Sequence, residues 1–132
     1  MPTLPDLHDG FFDGVCLPAD KQARLFVRTS EGERFTIALI GVEALSIHGF
    51  RAGNIIFEVT HIMPENLTVK DVAQAHDLRP EQAEMAQQLF GKAQKNHLSA
   101  LEINSSYGAE AQVLFRRSRP SQGTFWRRLR PA

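Results

Sequence analysis

Alternation of apolar and polar residues through the first half of the chain constrains the fold more than any other feature. Between Phe11 and Met63, apolar residues recur at every second position, and short groups of turn residues separate the runs. This period matches the two faces of a half-buried strand, so it predicts antiparallel strands at 11–17, 24–28, 34–39, 43–50 and 55–59. The connections are short, which favours a five-strand meander, and Gly32 suits a tight hairpin turn between the second and third strands.

The period changes after Pro64. Thr68 and Asp71 have the spacing of a capping box, which predicts a short helix ending near His76. Pro80 suits the first turn of a second helix running to about 96. Four apolar residues of that helix share one face, which we expect to cover one side of the sheet: Ala86, Leu89, Phe90 and Ala93. Strands return near 101–103 and 113–115, joined by a hairpin at 105–108.

These elements predict one α+β domain built on an antiparallel sheet, with two helices inserted before a C-terminal hairpin. A chain of 132 residues with 42% hydrophobic and 23% charged residues fits one ordinary folded domain. We assign residues 1–117 to this domain and 118–132 to a basic tail that we expect to be flexible. An open meander, a sandwich and a partly closed barrel are all consistent with the pattern. Cys16 lies between two apolar residues, and we expect it to be buried.

The net charge is zero, but the charges are unevenly distributed. Before Arg116 there are fifteen acidic and nine basic residues, for a net charge of −6, whereas the rest of the chain has six arginines and no acid. Arginines interleaved with aromatic residues can bind phosphates and stack on bases, and a solvated tail folding back on the acidic domain is the alternative. The candidate binding residues are Arg116, Arg117, Arg119, Trp126, Arg127, Arg128 and Arg130.

One group of residues could bind a metal ion or serve a small enzyme, in which His8 would act as a general base. His8, Asp9 and Asp13 combine an imidazole with two carboxylates four residues apart, which would share a face in a regular strand. The alternative is a solvated strand entrance. Glu58 and His61 should point to opposite faces, which argues against a shared ion there. The phosphate-loop patterns G-x-x-x-x-G-K-[ST] and G-x-G-x-x-G are absent from the sequence, and so is the G-x-S-x-G elbow of serine hydrolases. We therefore expect no cofactor and favour a protein that is not an enzyme.

Residues Thr68 to Ala75 resemble the start of the helix-turn-helix of LacI-type repressors. The resemblance covers about 20 residues, and Asp77 stands where those proteins have a turn glycine. The second helix would present Glu81 and Glu84, which DNA phosphates would repel. We therefore interpret the segment as two packing helices.

A second resemblance covers roughly the first half of the chain. The segments at 7–9, 14–15, 41–45 and 53–56, with Phe50, resemble a pattern in small uncharacterised bacterial proteins, some of which are grouped with immunity proteins of toxin systems. The resemblance implies a binding module that inhibits a protein partner, and an acidic domain suits a basic partner such as a nuclease. Nucleic-acid binding through the tail and a homodimer through an edge strand stay as alternatives. Met1 to Gly10 lacks the features of a secretory signal, so we expect a cytoplasmic protein.

Overall fold

The computed structural model describes residues 6–117 and, as backbone only, 126–128. The strands are β1 (Phe11–Cys16), β2 (Gln22–Arg28), β3 (Arg34–Ile40), β4 (Ala44–His48), β5 (Ile55–Ile62), β6 (Ser99–Tyr107), β7 (Glu110–Phe115) and β8 (Trp126–Arg128). Helix α1 spans Val69–Ala75 and α2 spans Ala83–Lys95, with 3₁₀ turns at Pro64–Asn66 and Pro80–Gln82. The predicted α+β class, with helices inserted before the last hairpin, is confirmed.

All strand pairings are antiparallel, and the strands form one sheet in the order β4-β7-β6-β5-β1-β2-β3-β8. The sheet divides where β5 meets β1, because these strands share a single register pair, Phe11 with Ile55. We call β4, β7, β6 and β5 the covered half, and β1, β2, β3 and β8 the open half. The halves touch again where the isolated bridge Ile40–Arg117 forms, and the sheet as a whole is not closed.

The position of β4 differs from the expected five-strand meander. After β3, Gly41 adopts a positive φ of 69° and the chain crosses to β7, so β4 pairs with β7 instead of β3. The amides of Val42 and Glu43 each donate 2.9 Å hydrogen bonds, to Lys21 O and Leu114 O respectively. The short connection therefore joins the two halves, where sequence proximity alone had suggested a hairpin.

The main core lies between the two halves. Inward residues of β2 and β3, such as Leu25 and Ile37, pack in one cluster with inward residues of β6 and β7, such as Ile103 and Phe115. A second cluster lies between the outer face of the covered half and the helices, and contains Val72, Ala75, Ala93, Ala100 and Leu114. The helices therefore cover the sheet as predicted.

The predicted capping box is present at the start of α1. Thr68 Oγ1 accepts a 3.2 Å hydrogen bond from the Asp71 amide, and Asp71 Oδ2 accepts a 2.9 Å bond from the Thr68 amide. The prediction that Cys16 is buried was wrong. Its side chain is exposed, since it lies opposite Arg24 on the face that no helix covers.

Candidate binding face

Three arginines and a phenylalanine lie on the outer face of the open half. In the β2–β3 register, Leu25 pairs with Ile37 in the core, so the intervening positions point outward. Arg24, Phe26 and Arg28 occupy these positions on β2, and Arg34 lies directly opposite Arg28 on β3. We call these four residues the basic face.

Arg28 is held in place by two neighbours. Its Nη2 donates a 3.0 Å hydrogen bond to Asp13 Oδ1, and its Nε donates to the other carboxylate oxygen. Its guanidinium carbon lies 4.5 Å from the centroid of the Phe11 ring, a cation–π contact. The hydrogen bond that Arg28 donates to Asp13 raises the pKa of Arg28 further above its usual value. Arg28 is therefore positioned before any ligand binds.

A bulge in β1 brings Asp13 to Arg28. Phe12 pairs with Val27 and Gly14 with Phe26, so Asp13 is the extra residue that no position of β2 opposes. Its carboxylate offsets the charge of one arginine of a directly opposed Arg–Arg pair, which would otherwise be repulsive. Among the described residues, Arg24 and Arg34 are exposed and make no ion pair, so the face keeps a positive charge.

A wide, shallow depression lies on this face. Its volume is about 540 Å³, and its lining includes Asp13, Phe26, Arg28 and Arg34. Gly14 lies opposite Phe26, and even a methyl group there would approach the ring to 3.7 Å. The missing side chain therefore leaves the flank of the ring open.

Thr36 lies opposite Phe26 on the same face, where its hydroxyl is buried. Oγ1 has no hydrogen-bond partner within the part of the chain that the structure describes. A buried hydroxyl without a partner costs about 1–3 kcal/mol of stability. The residue is thus more polar than the fold requires at that position.

The C-terminal part of the chain adds a strand along the edge of β3. Sequence analysis predicted no element in it, but residues 126–128 form β8, and Arg127 pairs in register with Thr36. This places Arg127 in the row that contains Gly14 and Phe26. Of the other candidate residues, Arg116 and Arg117 are exposed. Arg119 and Arg130 lie outside the described residues, as does most of the predicted flexible tail.

The covered half carries the opposite charge on its outer face. Glu58, Glu102 and Glu110 share the outward parity of Ile62, Ala100 and Leu114, the positions that contact the helices. They lie at the end of these strands that the helices leave uncovered, and Glu58 and Glu110 are exposed. The two outer faces therefore differ in charge, a division that the total charge conceals.

The predicted metal residues are only partly brought together. His8 Nδ1 donates a 2.7 Å hydrogen bond to Phe57 O, and His8 Nε2 lies 3.6 Å from Asp9 Oδ2. The bond to Phe57, and then the charge of Asp9, raise the pKa of His8. Asp13 is bound to Arg28 instead. Within residues 6–117, no group of three or more His, Cys, Asp or Glu side chains could hold a metal ion.

A serine, a histidine and an aspartate meet where β4 approaches the end of α1. Ser46 Oγ lies 2.9 Å from His48 Nε2, and Asp77 Oδ1 lies 3.0 Å from the same nitrogen. A catalytic triad needs the hydroxyl and the carboxylate on opposite ring nitrogens, so this group lacks the geometry of a hydrolase.

The residue at the position of the repressor turn glycine is Asp77. It adopts a positive φ of 54°, the backbone conformation for which glycine is favoured.

The register confirms the prediction that Glu58 and His61 point to opposite faces of the sheet. His61 pairs with the core residue Leu101, whereas Glu58 pairs with Asn104 on the outer face. The His61 ring stacks on Phe115 with centroids 5.6 Å apart, and burial lowers the pKa of His61.

Sequence analysis did not single out the basic face, although its signal was present. Arg24 and Arg28 have the outward parity of β2, and a hairpin with the turn at Gly32 brings Arg34 opposite Arg28. Combining parity with hairpin register would have grouped these residues. These arginines are separated in sequence and are brought together only by the strand register, whereas those of the tail are adjacent in sequence.

Comparison with protein-family models found no matching family, and comparisons with curated proteins and with solved structures found no match. No helix within the described ranges is long and apolar enough to cross a membrane.

Proposed function

We propose that the protein is a non-enzymatic binding module that holds an anionic partner on the basic face. The observation that carries this proposal is the alignment of Arg24, Arg28 and Arg34 on one sheet face that the helices do not cover, next to the β8 strand of an arginine-rich tail. Guanidinium groups form paired hydrogen bonds with carboxylates and phosphates, so arginines on one face suit a partner with several anionic groups.

The test is retention on immobilised heparin, a generic polyanion, over a salt gradient. Arg34→Ala removes an exposed arginine without an ion pair and should lower the salt concentration at elution. Arg79→Ala removes an exposed arginine near the helices and is the matched control. Equal elution of the two variants would contradict the assignment of binding to this face.

The acidic outer face of the covered half favours a second candidate. Glu58, Glu102 and Glu110 could receive a basic protein partner, as expected for an immunity-like inhibitor that binds a nuclease toxin. Glu102→Lys should then release a partner captured from a cytoplasmic lysate of the native bacterial host, whereas Arg34→Glu should not. A partner that is lost only from the Arg34→Glu variant would instead assign protein binding to the basic face.

A further inference from the structure

We infer that the ligand of the basic face is single-stranded nucleic acid, with phosphates on the arginines and an unpaired base against Phe26. This inference rests on the proposed function, since it names the anionic partner of the same face. Its basis is the order of groups across the face, in which a cationic side chain lies on each side of an aromatic ring.

The spacing along β2 sets the scale of the site. Arg24 and Arg28 are four residues apart, about 13 Å along a strand, and Phe26 lies midway between them. Arg34 lies about 5 Å from Arg28 across the hairpin, backbone to backbone. A single strand offers the same alternation of backbone charge and flat base, and stacking tolerates any base because each has a π-face.

The ring is accessible where stacking would need it. Phe26 is partly exposed, it lines the depression, and Gly14 leaves its flank open. An acidic peptide would use the arginines but would gain little from a flat ring. A duplex keeps its bases stacked on each other, and reading it requires an element that enters a groove. The combination therefore favours an unpaired strand.

Asp13 has a defined part in this site. Its carboxylate occupies the Nε and Nη2 donors of Arg28, which form one of the two guanidinium edges that a phosphate could use. It keeps Arg28 oriented in the free protein and competes with an incoming phosphate. Asp13→Asn keeps the shape of the side chain and removes its charge, so it should tighten binding.

The experiment measures fluorescence anisotropy of a labelled single-stranded oligonucleotide of mixed sequence with the full-length protein. A labelled polyglutamate peptide and a labelled duplex are the comparison ligands. We expect the single strand to bind more tightly than either. Phe26→Ala should weaken this binding about tenfold, within the range of one lost stacking contact. Phe26→Trp keeps an aromatic ring and should retain the affinity for the single strand, and Arg79→Ala should leave this affinity unchanged.

Two further readouts separate charge from stacking. Arg34→Ala should reduce the slope of log affinity against log salt by about 0.7, the effect of one lost phosphate contact on a single strand. Asp13→Asn should strengthen binding several-fold and is a gain that a misfolded protein would not produce. Circular dichroism of each variant checks that it is folded.

The outcomes distinguish this inference from the proposed function. Heparin retention that depends on Arg34, together with polyglutamate binding as tight as oligonucleotide binding, would overturn the nucleic-acid inference and retain the binding face. Insensitivity of oligonucleotide affinity to Phe26→Ala would also overturn it. An Arg34→Ala variant with unchanged heparin elution and an unchanged salt slope of oligonucleotide binding would overturn both proposals.

Discussion

The two halves of the sheet differ in how far packing restricts which residues a strand can contain. In the covered half, β7 is buried on both faces near its end, because Val113 and Phe115 face the main core while Leu114 faces the helices. In the open half, β2 alternates, with Leu25 and Val27 buried and the residues between them outside the core. Packing thus determines both faces of one strand and only one face of the other.

This difference shows where to look for function. A residue on a doubly buried strand has a structural reason to be apolar, whereas the outer residues of β2 lie outside both core clusters of the described residues. Three arginines and a partly exposed phenylalanine on that face lie outside the core, and the directly opposed pair of arginines needs the Asp13 carboxylate to offset its charge. Residues that the fold does not require are therefore concentrated on the open half.

The largest difference in the free energy of unfolding is expected when one outer-face residue in each half is truncated to alanine. Leu114 lies between Ala44 and Ala100 in the register and is fully buried beneath the helices. Leu114→Ala should lower the free energy of unfolding by about 3 kcal/mol, the usual cost of such a cavity. Phe26→Ala on the open half should cost less than half as much. Urea unfolding of both variants measures these losses, and equal losses would show that the two outer faces are packed to the same degree.

The helical cover itself can be weakened at its start. Thr68→Ala removes the hydroxyl of the capping box, so the free energy of unfolding should fall by about 1 kcal/mol. Thr68→Ser keeps the hydroxyl and should retain most of the stability. If Thr68→Ala left urea unfolding unchanged, the start of α1 would contribute little to the covered half.

A change of opposite sign is expected on the open half. Thr36→Val replaces the buried hydroxyl that lacks a partner with a methyl group of similar size. We expect the free energy of unfolding to rise by about 1 kcal/mol, because an unsatisfied polar group is removed. Ser46→Ala is the control, since Ser46 is buried but has a hydrogen-bond partner, His48. Destabilisation by Thr36→Val would mean that the hydroxyl is satisfied in solution.

The smallest expected effect is a pH dependence in the covered half. Burial lowers the pKa of His61, so below its ordinary value of 6.5 the unfolded chain binds the proton more readily. Stability should therefore fall as pH decreases from about 7.5 to about 5.5. His61→Phe keeps a ring against Phe115 and should reduce this loss in urea unfolding at the two pH values.

Two other histidines define the background of that measurement. Burial also lowers the pKa of His76, so its contribution has the same sign and persists in the variant. The raised pKa of His8 contributes stability at low pH that is lost as pH rises, which opposes the other two. An unchanged pH profile in His61→Phe would show that His76 dominates.

Local features of the fold were predictable from sequence because they depend on neighbouring residues. The alternation in β2 and β3, the turn at Gly32 and the capping box at Thr68 each act within a few positions. The inward positions of these strands followed from period two alone. Helical spacing likewise gave the buried face of α2.

Long-range pairing could not be predicted in the same way. The alternation of Leu45 and Ile47 defines a strand but does not distinguish β3 from β7 as its neighbour. The β1 bulge that brings Asp13 to Arg28 depends on tertiary register, and for that reason Asp13 was assigned to a metal site. The pairing of β8 depends on a vacant edge of β3, which composition does not reveal.

The placement of β8 has a consequence for how the chain can be shortened. The backbone of β8 and the bridge at Arg117 occupy hydrogen-bonding positions along the edge of β3. Deletion of residues 116–132 would leave those N–H and C=O groups available to another molecule, and exposed edges of this kind promote self-association. A truncated protein would thus change its colloidal behaviour together with its charge. Substitution of single tail arginines by neutral residues changes the charge and leaves the edge of β3 paired, so it tests the role of the tail better than deletion does.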